Sequence, residues 1–193
     1  MIWLLQNLFH LLNKSNSIFY YCWIEFTLSC PNSHTHMKKL LFTLLFLTLG
    51  TAWGEAREDA DAAYERKDYA TAIKLWRPLA EQGYPNVQYN IGLMYNNGYG
   101  VIQDYKEAVK WYRLAAEQGF ADAQSNLGLM YGKGQGVLQD YTRAHMWFNL
   151  ASSAGSAQGI KNRDIIAKLM TTQQIEKAQE MAKACQASNF KGC

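Results

Sequence analysis

Apolar side chains recur three and four positions apart over much of the chain, most clearly at Tyr105, Ala108, Val109, Trp111, Tyr112, Ala115 and Ala116. That spacing predicts a helix with a broad apolar stripe on one side. Asp104 stands at its N-cap, and Glu107 three positions later predicts a capping box. Gly119 predicts its end, because glycine takes the left-handed cap conformation without a Cβ penalty. A second helix is predicted from about Asp122 to Lys133, with Leu127 and Tyr131 four apart on its buried side.

The same pattern stands one period earlier. Residues 69 to 104 align without gaps on residues 105 to 140, and about half the positions are identical. Tyr69, Ala72, Lys74, Arg77 and Ala80 to Gly83 recur as Tyr105, Ala108, Lys110, Arg113 and Ala116 to Gly119. Gly92 to Tyr95, Gly98, Gly100 and Val101 recur as Gly128 to Tyr131, Gly134, Gly136 and Val137. Each unit therefore reads as two antiparallel helices, with the paired glycines turning the chain into the next unit. Gly92 and Gly128 fall inside helices, where glycine costs about 1 kcal/mol relative to alanine. Close helix approach against a small residue such as Ala80 or Ala116 is the expected compensation.

A third, partial unit is expected over residues 141 to 176. Tyr141, Ala144, Trp147, Phe148, Ala151 and Gly155 continue the first helix, but residues 156 to 170 lack the Leu-Gly pair, the tyrosine and the glycine turn. Ile160, Ile165, Ile166, Leu169 and Met170 still predict an apolar stripe. Thr171 to Gln174 predicts a capping box for a last helix ending near Cys185, and residues 57 to 66 predict a short leading helix. Such terminal elements cap a core that is otherwise open at both ends.

The pattern Leu127-Gly128, Tyr131, Gly134, Gly136-Val137, Asp140, Ala144, Trp147 and Ala151 to Gly155 resembles the Sel1-like repeat family, relatives of the tetratricopeptide repeats. The resemblance covers residues 69 to 155. It implies an all-α fold, an α-solenoid of antiparallel helix pairs with terminal capping helices. Its members are mostly exported or envelope-linked scaffolds that bind other proteins or peptides, so the expected role is protein-protein interaction without catalysis.

Composition leaves that picture standing and adds a compartment. The chain has 193 residues, 49% of them hydrophobic and 18% charged, with a net charge of +3. Those values exclude a disordered polyelectrolyte. Met37-Lys38-Lys39 precede an apolar run from Leu40 to Leu49, followed by small residues at Ala52 and Gly54. This is the pattern of a secretory signal peptide over residues 37 to 54, with cleavage expected after Gly54. The run is shorter than the roughly 18 to 20 apolar residues a membrane span needs, so no stable span is expected after cleavage. Residues 1 to 36 read as an upstream extension from a misassigned start. Residues 55 to 193 form the expected solenoid, periplasmic or secreted and monomeric.

Without the leader the net charge falls close to +1, and no basic stripe remains to suggest nucleic acid. Cys185 and Cys193 are the cysteines left. An oxidising compartment predicts a disulfide between them; free thiols and an intermolecular bond are the alternatives.

Candidate chemistry is sparse. His145 is the one histidine after the leader and stands in no nucleophile, base and carboxylate arrangement, so no catalytic residue, metal ligand or cofactor site is expected. Trp76, Trp111, Trp147, Tyr112 and Phe148 would suit a stacking groove, but aromatics at helical spacing are more often core. Lys74, Arg77, Lys110 and Arg113 share a polar face of the first helices, which tetratricopeptide-like geometry would place on a concave surface able to bind an acidic or C-terminal peptide. A solvated face with Arg113 paired to Glu117 is the blander reading. Some cysteine-rich members of the resembled family bind or weakly hydrolyse β-lactams, but this chain lacks their cysteine pair in every repeat. That activity, or association with peptidoglycan, is the alternative function.

Overall fold

In the computed structural model, which describes residues 57–193, an aspartate opens each of three helices in turn. Asp68 caps α2 (Tyr69–Glu81) by accepting from Thr71 N at 3.2 Å. Asp104 caps α4 (Tyr105–Ala116) through Lys106 N and Glu107 N, and Asp140 caps α6 (Tyr141–Ser153) through Arg143 N. A cap of this kind contributes about 1 kcal/mol. The helical stretch 57–65, α1, precedes them; α3 (Pro85–Asn97), α5 (Ala121–Lys133) and α7 (Ala157–Ala167) alternate with them, and α8 (Thr172–Ala187) closes the chain. Among the described residues there is no strand. The readings for residues 1 to 36 and for the signal segment 37 to 54 lie outside the described residues.

The capping box expected at Asp104 does not form. The backbone N–H of Asp104 donates to Tyr95 O at 3.0 Å, which leaves Glu107 no free donor to reach back to, and its carboxylate pairs instead with Lys110. Asp140 N repeats the bond to Tyr131 O at 3.0 Å. The box at Thr171 and Gln174 does form, because no preceding helix competes for Thr171 N.

Each second helix packs on its own first helix and, more extensively, on the first helix of the next unit: α3 on α4, and α5 on α6. The mid-helix glycines make this approach possible, but their neighbours are not the expected alanines. A Cβ on Gly92 would lie 2.6 Å from the Tyr112 ring, and one on Gly128 would lie 2.6 Å from the Phe148 ring. The glycine backbone is the floor on which the next unit's aromatic rests, and burying such a ring gives about 1.5–3 kcal/mol against the propensity lost. Ala80 and Ala116 are buried within their own units, where their carbonyls accept from Gln88 Nε2 at 2.9 Å and Gln124 Nε2 at 3.2 Å.

The two ends differ. At the N-terminal end α1 buries Ala60 and Ala63, and Asp61 accepts from Trp76 Nε1 at 2.9 Å. At the other end the apolar stripe expected on α7 is largely uncovered: Ile166 is buried, whereas Ile160, Ile165 and Leu169 are exposed. The reason is the course of α8, which packs on α6 rather than on the free side of α7.

Candidate functional site

The face formed by the first helices holds the four candidate side chains, and the structure divides them into two pairs. Arg77 and Arg113 are half-buried and turned inward. Arg77 Nη2 donates to Tyr95 OH at 2.9 Å and Arg113 Nη2 to Tyr131 OH at 2.6 Å, each arginine tying a first helix to the second helix of its unit. Arg143 Nη1 joins the same Tyr131 hydroxyl at 3.3 Å, and both guanidiniums lie about 6 Å from its ring centroid, within cation–π range. The expected Arg113–Glu117 pair is therefore absent, because the phenol of the buried Tyr131, in reach of the guanidinium, takes its place. Lys74 and Lys110 remain exposed. Lys110 pairs with Glu107 across one turn, a contact which at such exposure adds little stability.

Most of the aromatic candidates belong to the core. Trp76, Tyr112, Trp147 and Phe148 are buried, and Trp111 is half-buried with its Nε1 unpartnered. Burial also pushes the Tyr112 phenol well above its ordinary pKa, so it stays protonated. His145 is buried on α6. Desolvation lowers its pKa, the nearby Arg163 guanidinium adds to that, and Asp164 opposes it. No group of three His, Cys, Asp or Glu side chains converges as a metal site among the described residues. A shallow apolar cleft of about 120 Å³, lined by Leu129, Phe148, Ile165 and Ile166, falls short of the roughly 300 Å³ that small-molecule sites usually enclose.

Leu114 is a residue of this face that sequence reasoning passed over. It lies one turn beyond Lys110 and is 46% exposed. Its place in the repeat was the available signal, since Pro78 and Leu150 occupy the same position in the flanking units. Ile102 and Leu138, equivalent positions on the inter-unit turns, are almost wholly exposed on a separate edge. At the C-terminus Cys185 and Cys193 stand at disulfide distance, with Cα atoms 5.6 Å apart. The turn between them carries Asn189 and Phe190 at positive φ, and the Phe190 ring rests on Gly119.

The regular alternation of capped helices on a glycine floor matches a known repeat. Three consecutive copies of the Sel1 repeat match residues 58–84, 85–120 and 121–156. The chain belongs to the Sel1 repeat family. Sel1 repeats generally mediate protein-protein interaction. In the family's register each repeat pairs a second helix with the following first helix, so α1 and α2 form a shortened first Sel1 repeat and α1 is more than a leading appendage. Among solved structures the chain is similar to a protective antigen present in uropathogenic Escherichia coli strains and displaying an SLR fold, at 29% identity and a TM-score of 0.66, covering 72% of this chain and 31% of that one. It is also similar to a Sel1 repeat protein from Oxalobacter formigenes, at 34% identity and a TM-score of 0.53, covering 55% of this chain and 44% of that one. The chain thus spans less than half the length of either. No curated protein matches it. No helix among the described residues is long and apolar enough to cross a membrane.

Proposed function

We propose that this Sel1 repeat protein is an exported scaffold, periplasmic or secreted, that binds a partner protein through the face of its first helices and performs no catalysis of its own. The observation that carries the reading is the division of the basic residues. Arg77 and Arg113 tie the two helices of their own units, while Lys74 and Lys110 stay exposed at one position of successive units, Lys110 beside Glu107, and offer a regularly spaced basic edge. Repeated presentation of one side chain is how a solenoid builds an extended binding surface. Export rests on the Lys38-Lys39 pair, the apolar run after it and the small residues at Ala52 and Gly54. The paired cysteines at the tail suit the same compartment, and the protective antigen among the similar structures is in keeping with exposure outside the cytoplasm.

Photo-crosslinking in cells tests both halves. A photoreactive residue is placed at position 74, 110, 138 or 165 of the tagged full chain, and the adducts and the protein's own N-terminus are read by mass spectrometry. Adducts to one discrete protein from positions 74 and 110, with an N-terminus near Glu55, are expected. Adducts from 138 or 165 alone would move the binding face elsewhere, and an intact Met1 would overturn export.

A further inference from the structure

α8 departs from the order the other helices keep. Each earlier second helix is covered by the next first helix, but α8 leaves α7 open and lies on α6. It covers the side of α6 that corresponds to the open side of α4. Met146 and Leu150 are 1% and 2% exposed, whereas their equivalents in the preceding unit, Lys110 and Leu114, face solvent. α8 is the principal neighbour of α6 that has no counterpart on α4, and its Ala178, Ala182 and Cys185 share an apolar cluster with Met146 and Leu150. Those three recur at i, i+4 and i+7, so α8 presents a narrow stripe of small side chains that lets two helix axes approach closely.

We propose that the first-helix face of the first two units binds an amphipathic α-helix of a partner protein, seated there as α8 is seated on the third unit. This rests on the scaffold reading given above and names the partner's chemistry. The surface is continuous with the α8 interface, since Leu114 continues the row occupied by Leu150, and Phe190 already carries the tail from the third unit to Gly119 in the second. Where the chain supplies its own helix the row carries Met146; where it does not, Lys74 and Lys110 stand at the same position. The partner helix accordingly presents small or apolar residues at i, i+4 and i+7 toward Leu114, flanked by carboxylates toward the two lysines. This is helix-in-groove recognition with a charged border.

The probe is a synthetic peptide of residues 172 to 187 of this chain carrying Lys177→Glu, Gln186→Glu and Cys185→Ala, titrated against the full chain by fluorescence anisotropy. Saturable binding is expected, weakened on the order of ten-fold by Leu114→Asp and again by Lys74→Glu with Lys110→Glu. Ile165→Asp, on the uncovered side of α7, is expected to leave it unchanged. Circular dichroism confirms that these exposed substitutions keep the fold. Absence of saturable binding, binding that Leu114→Asp leaves intact, or equal loss with Ile165→Asp would overturn the proposal. If the peptide fails while positions 74 and 110 still crosslink one protein in cells, the helical partner falls and the scaffold reading stands.

Discussion

The second and third units begin alike and finish differently. α4 and α6 both start from an aspartate cap and place an aromatic, Tyr112 or Phe148, on the glycine floor of the preceding unit. Their second helices then diverge. α5 carries Leu127 and Gly128 and is buried along much of its length, whereas α7 carries Arg163 and Asp164 at those positions and buries little beyond Gly159, Asn162 and Ile166. A helix needs a glycine floor only when another helix will stack on it. Nothing stacks on α7 as α6 stacks on α5, so a charged residue is tolerated where the floor would be. The difference shows that the repeat signature records contact with the next unit as much as the fold of its own.

The contrast breaks most readily at that floor. Gly128→Val places branched atoms against the Phe148 ring and is expected to destabilise by about 3 kcal/mol, while Asp164→Ala at the equivalent site changes stability by no more than about 0.5 kcal/mol. Urea denaturation of both variants measures the gap. Equal effects would mean that α7 is packed as α5 is. Removing the tail bridge with Cys193→Ser comes next, at about 2–3 kcal/mol from the short loop it closes. Hydrogen exchange should show the loosening in α8 and leave α2 and α3 protected. Tyr131→Phe removes the hydroxyl that accepts from both Arg113 and Arg143, for about 1 kcal/mol. Tyr95→Phe loses a single arginine bond and should cost less.

The smallest effect concerns His145, which stands where the second unit has Val109. Its pKa is held below the ordinary histidine value of about 6.5 by burial and then by Arg163, with Asp164 opposing. The folded state thus binds fewer protons than the unfolded state. Stability is fully present above that ordinary value and declines as the pH falls through it. Urea midpoints measured from pH 7.5 down to pH 5.5 should therefore drop in the parent protein, and His145→Val should flatten the slope over this window. A parent slope no steeper than the variant's would show that the imidazole protonates freely in the fold.

Much of the fold was legible because its determinants are local. The caps at Asp104 and Thr171, the glycine stops and the apolar period each act within a few residues. The contacts of those same residues were less so. Glu107 lost its capping role to a carbonyl on the preceding helix, and Arg113 left Glu117 for a phenol 18 positions away. Gly92 was recognisable as a site of close approach, but the ring resting on it comes from another unit. On the candidate face the lysines stay exposed while the arginines serve as internal ties, a division set by tyrosines 18 positions further along the chain.

By itself the sequence determined the period, the helix pairs, the family and the cysteine pair available to the tail. A short-range code of caps, glycines and apolar spacing repeats whatever lies beyond it. Only the tertiary structure decided where α8 rests, which aromatic lies on which glycine, and why Leu114 is open while Leu150 is closed. Those outcomes depend on which surfaces meet, and two helices of similar composition are told apart only by the neighbour that covers one and leaves the other bare.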